Sequence, residues 1–276
     1  MIKINEFYRR KTAFLGLILV FGISLMALFA PQLSSYDPYQ VDIQNTVAPP
    51  SLVHFFGTDD LGRDLFARII FGARISLIVG VLGMLVSLCI GTALGTLAGY
   101  YGGWVDQSLM RLTDMLLAFP ALLFIIAVMA IFEEPSVAKI FLVLGVIGWP
   151  AMARLLRAQI MSLKEQDFVV AAKASGLRPF RLIFFHLFPN ALSPLIVTST
   201  LSIAGNILSE AWLSFLGLGA QPPLPSWGSM ITQGQAYLQS HPWVCVFPGL
   251  AIFLTVMGFN LLGDGLRDIL DPKLKR

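Results

Sequence analysis

Charge is what this chain has least of. Only 13% of its 276 residues are Asp, Glu, Lys or Arg, whereas 56% are hydrophobic. A soluble domain carries about 25% charged and about 45–50% apolar residues, so a single water-facing globule is excluded. Cysteine is nearly absent: Cys89 and Cys245 lie in apolar runs and read as small buried hydrophobes, not as a disulfide. The three histidines, His54, His186 and His241, stand far apart, and no Cys/His spacing of a zinc site occurs. There is no Gly-Lys pair, which removes the loop that cradles ATP phosphates. His-Glu-x-x-His and Gly-x-Ser-x-Gly are missing as well. Catalysis, a metal or a bound cofactor in this chain therefore has no support, and a net charge of only +3 makes no case for nucleic acid.

What the chain does have is long apolar runs, at 13–30, 75–98, 109–132, 138–156, 194–215 and 244–262. Each can cross about 30 Å of hydrocarbon as a helix of about 20 residues. The pattern predicts an all-α polytopic membrane protein with six transmembrane helices. The first run follows Lys3, Arg9, Arg10 and Lys11 as a signal peptide would, but it is long for a signal core and Pro31 disfavours cleavage, so an uncleaved span is expected. Of the 19 Lys and Arg, 15 then fall on the side of the N-terminus, leaving Arg63, Arg68, Arg74 and Lys139 on the other. Positive charge stays inside, which places both termini in the cytoplasm.

Between the spans the reading is finer. Residues 1–73 comprise a cytoplasmic tail, the first helix and an external extended or interfacial segment; 74–265 hold the remaining spans, with a cytoplasmic loop at 161–190; 266–276 form a second tail. Tyr36-Asp-Pro-Tyr39 and Ala48-Pro-Pro50 read as turns or extended chain. Residues 65–71 put apolar side chains on one helical face with Arg68 among them, which predicts an interfacial helix. Gly91, Gly95 and Gly99 form a smooth stripe that lets a neighbouring backbone come close. In the loop, Asp167 can open a short helix and Gly176 close it; Pro179 suits the first turn of a second short helix that Pro189 ends. Glu210, Trp227 and Asn260 are candidates for the pathway or for helix ends. By helix rise Glu210 lies near the outer end of the fifth span, and Trp227 and Trp243 fit an interfacial belt. His54 and His241 have no third metal ligand at useful spacing.

The loop carries a resemblance. Val170-Ala171-Ala172-x-x-x-Gly176, then His186-x-x-Pro189-Asn190, resembles the cytoplasmic loop of ABC-importer permease subunits, whose consensus begins Glu-Ala-Ala; Val170 stands at the Glu position. Gly57-Thr58-Asp59-x-x-Gly62-Arg63-Asp64, followed by Arg68, Gly72, Arg74, Ser76 and Leu77, is similar to the N-terminal signature of the second permease of peptide and nickel importers. Ser214-Phe-Leu-Gly-Leu-Gly219, Pro225-x-Trp227-Gly228, Phe247-Pro-Gly249 and Asn260-Leu-Leu-Gly-Asp264-Gly-Leu-Arg267-Asp268-x-Leu-Asp271-Pro272 extend the likeness to nearly the whole chain.

The resemblance implies a type I ABC importer permease fold in a bacterial inner membrane. It further implies a homologous second permease, one or two ATPase subunits that hold the ATP and Mg, and an external solute-binding protein. The loop would dock on the ATPase. The solute implied is a di- or oligopeptide, with nickel or a metal chelate as the alternative within the family. Outside it, a gradient-driven secondary transporter would need carboxylates near mid-membrane, and Asp114 and Glu210 are the candidates.

Overall fold

The structure, a computed structural model, describes residues 10–132 and 136–270. Expectations that rest on Lys3, Arg9, Asp271, Pro272, Lys273, Lys275 or Arg276 lie outside the described residues. The described chain is helical. In order come α1 (Lys11–Leu28), α2 (Leu65–Tyr101), α3 (Gly103–Ala118), α4 (Ala121–Met129), α5 (Val137–Lys164), α6 (Asp167–Ala174), α7 (Pro179–Phe215), α8 (Trp227–Gly234) and α9 (Trp243–Leu270). Among the described residues five helices are long and apolar enough to cross a membrane, and α3 with α4 supplies a sixth if that bent pair is one span.

The first and last spans run antiparallel. The α-carbon side of Gly16 faces the backbone of Leu262 and Gly258, and Ala13 abuts Gly265, so the start of α1 meets the end of α9. Arg10 and Asp268 form an ion pair at that level. Both side chains are about one-third to one-half exposed, so the pair adds little stability; its value is topological, since it sets both ends of the described chain on one face.

The glycine stripe is a packing device. A Cβ on Gly91 would sit 2.5 Å from Met152 Cβ, one on Gly95 2.5 Å from the Ala153 carbonyl, and one on Gly99 2.9 Å from the Arg157 carbonyl. Helix α5 therefore lies directly on the α2 backbone, the close approach that small residues allow when lipid provides no hydrophobic drive between helices. Ser87 Oγ adds a bond to Gly145 O at 2.9 Å. At the inner end Lys164 Nζ donates to Tyr100 O at 2.7 Å and Gly99 O at 3.2 Å, covering carbonyls that the end of α2 leaves unpaired.

Four expectations change. Residues 65–71 are not a separate interfacial helix: they are the first turns of the 37-residue α2, and Leu65, Arg68, Ile69 and Ile70 are buried. The third span is not one straight helix, because α3 and α4 meet at 86° across Phe119-Pro120; Pro120 has no N–H to continue the α3 ladder. Pro189 does not end the second loop helix. A π-helical turn at Ile183–Leu187 accommodates it, and Pro179–Phe215 is continuous over 37 residues, or about 55 Å at 1.5 Å per residue. Asn190 Nδ2 donates to His186 O at 2.6 Å, satisfying a carbonyl beside the break. Finally, Trp227 is no belt residue: it is 1% exposed, and its indole N–H donates to Ile69 O at 3.0 Å.

Candidate functional site

Two regions collect the residues that the sequence singles out. The first is the cytoplasmic loop. Helix α6 begins at Asp167 and is closed by Gly176, whose φ of +77° lies in the left-handed region. Gly176 N donates to Lys173 O at 3.0 Å. The chain then reverses into Pro179 at the first turn of α7. Val169, on α6, is 2% exposed and packs with Leu182 and Leu187 of α7 and with Met152, Leu156 and Ile160 of α5. These apolar pins fix the short helix to the inner ends of two spans, so a force on α6 is delivered to both.

The other face of α6 is free. Phe168 is 43% and Val170 54% exposed, and Phe180, just across the turn, is 67% exposed. Ala171 and Lys173 are exposed and Ala172 is half-buried. His186 is half-buried, while Pro189 and Asn190 are exposed on the continuous α7. The loop residues therefore come together as one element, and its free surface is apolar where the consensus glutamate would be charged.

The second region is the external cap on α2. Asp59 holds it: its Oδ1 accepts from Leu61 N (2.9 Å) and Arg63 N (3.0 Å), and its Oδ2 accepts from Arg63 Nε (2.7 Å). Arg68 Nε lies 3.2 Å from the same Oδ2. Asp64 caps α2 by accepting from Ala67 N at 2.7 Å and also meets His54 Nδ1 at 2.9 Å. Thr58 Oγ accepts from Ala48 N at 2.8 Å. Gly57 O accepts from Leu65 N, and a Cβ on Gly62 would strike Asp42 O at 1.8 Å. Arg63 reaches Gln233 Oε1 at 3.1 Å and Arg68 reaches Pro38 O at 3.1 Å. Gly57, Thr58, Asp59, Gly62, Arg63 and Asp64 thus tie the external segment and α8 to the head of α2. Buried charges persist only when paired and hydrogen-bonded in this way.

Glu210 lies near the outer end of α7, as its helix rise predicts, and is fully buried there. Its carboxyl accepts from Ser214 Oγ at 2.7 Å and Ser76 Oγ at 3.2 Å, and Ser226, the N-cap of α8, hydrogen-bonds Ser214 at 3.1 Å. The serine cage links α2, α7 and α8. The signal that could have found it is the pair Ser214 and Ser226 flanking the glycine-rich turns, but their convergence depends on α8 folding back over α7. Asn260 belongs to neither region and is exposed on α9. Asp114, exposed, pairs with Arg154 at 2.7 Å, and Asp106 pairs with Arg157 at 2.6 Å, holding α3 to α5. Among the described residues no three His, Cys, Asp or Glu side chains gather as metal ligands.

Comparison with known proteins is consistent along the whole length. The family described as "Binding-protein-dependent transport system inner membrane component" matches residues 91–276, and "N-terminal TM domain of oligopeptide transport permease C" matches residues 4–50. The chain is 46% identical to the dipeptide transport system permease protein DppC of Alkalihalophilus pseudofirmus, over 98% of this chain and 89% of that protein. It is 44% identical to the oligopeptide transport system permease protein OppC of Bacillus subtilis (98% and 88% covered). It is 43% identical to the glutathione transport system permease protein GsiD of Pectobacterium atrosepticum (98% and 90% covered). Among solved structures, an inward-facing form of the methionine ABC transporter MetNI superposes with a TM-score of 0.58 at 16% identity, over 74% of this chain and 96% of that one. At that identity the likeness speaks for the fold.

Proposed function

Because the chain belongs to the family of binding-protein-dependent transport system inner membrane components, we propose that it forms half of the translocation path of an ATP-driven importer for di- and oligopeptides. That it is a multi-pass inner-membrane transport subunit, and not an enzyme, follows from the family itself. Membership also brings an ATPase and a substrate-binding protein as partners. The finer reading is ours: a homologous second permease completes the path, and one or two ATPase subunits hold ATP and Mg and dock on α6. The observation that carries it is the exposed α6, pinned by Val169 and hinged at Gly176 onto the unbroken α7. Closure of an ATPase pair would move α6, and α5 and α7 would tilt with it to alternate access.

Peptide is favoured over metal as the solute because relatives of 43–46% identity carry dipeptide, oligopeptide and glutathione in their names. The test is reconstitution with the partner subunits in liposomes, with the binding protein and a radiolabelled dipeptide outside. Uptake that requires ATP, the ATPase and the binding protein is expected. Nickel uptake without peptide uptake, or gradient-driven uptake by this chain alone, would overturn the reading.

A further inference from the structure

The external segment carries an apolar tip that its own chain leaves uncovered. Residues 51–56 form a tight turn in which Ser51 N donates to His54 O at 2.8 Å and Gly57 N to His54 O at 2.9 Å. The turn points three hydrophobic side chains away from the protein: Leu52 is 92%, Val53 61% and Phe55 60% exposed. Residues 47–57 contain no Asp, Glu, Lys or Arg, and the one titratable side chain, His54, is turned inward onto Asp64. A small turn with three projecting hydrophobes and no charge is poorly suited to water.

Its height along the spans is fixed by aromatic contacts. Phe56 stacks on Phe247 with ring centroids 4.2 Å apart, and Phe247 is four residues into α9, whose first residue is Trp243. The tip therefore stands where α9 leaves the membrane on its outer side. Phe66 of α2 packs edge-on against both Phe55 (5.9 Å) and Phe56 (5.3 Å). Directly beneath runs a cavity of about 310 Å³ between α1, α2, α8 and α9; the polar groups in its walls, the Thr255 hydroxyl and the Trp227 indole N–H, are spent on Ala251 O at 2.7 Å and Ile69 O at 3.0 Å. Three of its lining residues, Met26 of α1 and Leu250 and Leu254 of α9, are exposed on the outer surface of the protein. Those flanks continue down the two spans as an apolar, outward-facing surface of the kind that hydrocarbon covers.

We propose that the turn at residues 51–56 is a membrane foot: Leu52, Val53 and Phe55 seat in the outer leaflet, and a phospholipid acyl chain fills the groove that Phe56 and Phe66 roof. The interfacial role that the sequence assigns to 65–71 passes to this turn, because Arg68 is drawn into the cap by Asp59 and the adjacent apolar face is buried against α8. The foot would hold the external cap, and with it the outer end of α2, at constant depth while the inner ends of α5 and α7 move. The inference needs only that the chain spans a membrane and is independent of the solute.

The test uses the assembled transporter in lipid nanodiscs, with Cys89→Ala and Cys245→Ala as background and a nitroxide on Val53→Cys. Leu52→Cys gives a second position, and Gln44→Cys, on the exposed external segment, gives an aqueous reference. Labels at 52 and 53 should show an oxygen-to-nickel-chelate collision ratio several-fold above that at 44, the signature of lipid immersion. A ratio equal to that at 44 would place the turn in water and overturn the proposal. Shielding of 52 and 53 from both probes would show a protein partner there instead, and would overturn it equally.

Discussion

Gly176→Val is expected to cut ATP-driven uptake about tenfold or more while the subunit stays at its normal level in the membrane and ATP hydrolysis continues. Gly176 has φ +77°, and a Cβ there would meet nothing within 4 Å. The cost is thus conformational, not steric packing: an L-residue in the left-handed region loses about 1–2 kcal/mol, and a β-branched one suffers most. The chain can escape that strain by re-routing the turn, which rotates α6 against α7. About 1.4 kcal/mol is a factor of ten in an equilibrium, so strain on this scale is enough to displace the docked geometry. Asn is the control, since its short side chain tolerates this conformation; Gly176→Asn should retain most of the uptake. If valine and asparagine behave alike, backbone conformation at 176 is not what couples the two activities. If valine instead removes the protein from the membrane, the turn is a folding element and no coupling role follows from it.

The second large effect concerns assembly. Gly95→Leu should remove most of the folded subunit from the membrane, measured as the detergent-stable fraction by size-exclusion chromatography. The α2 backbone at Gly95 faces not a side chain but the Ala153 main chain, with the carbonyl 2.5 Å and the Cα 3.0 Å from where a Cβ would stand. No rotamer change can make room, so α2 and α5 must separate along the stripe that Gly91 and Gly99 continue. Inserting one methylene into a well-packed core costs about 1–3 kcal/mol, and here four carbons enter at a backbone contact. Gly22→Ala is the matched control, because a Cβ at Gly22 meets nothing within 4 Å; its level should be unchanged. Normal levels of Gly95→Leu would mean that the close approach of α2 and α5 is not required for the fold.

Much of this architecture could be read before any coordinates, for identifiable reasons. Spans follow from apolar runs because hydrocarbon penalises every unpaired polar group, and orientation follows from where Lys and Arg collect. The Gly91–Gly95–Gly99 stripe predicts a close helix pair, though not that α5 is the partner. Gly176 and Pro179 specify their turn locally. What could not be read depends on tertiary contacts. Arg68 among apolar residues looks interfacial until Asp59, and from farther along the chain Pro38 and Gln233, supply its partners. Glu210 near a span end reads equally as a pathway residue or a helix-end residue until α8 folds over it and brings Ser226 near Ser214. Trp227 looks like a belt residue until the Ile69 carbonyl takes its N–H. Pro189 looks like a helix stop because the rule for prolines assumes an unbroken i→i−4 ladder, and a single π turn removes that assumption.

Val170 is where sequence and structure meet most closely. The family pattern has a glutamate here, and the side chain is 54% exposed beside exposed Phe168 and Phe180. Under the proposed docking, the apolar surface, not a charge, would carry the contact of α6 with the ATPase. The central claim, that α6 is docked and moves with the nucleotide cycle, is tested most directly by cross-linking. With Cys89 and Cys245 replaced by alanine, Val170→Cys is combined with single cysteines lining the cleft of the co-purified ATPase and oxidised in apo and ATP-bound states. A disulfide in both states, with uptake largely retained while it holds, is the predicted result. Absence of any cross-link to the ATPase, or a cross-link that forms in only one of the two states, would contradict it.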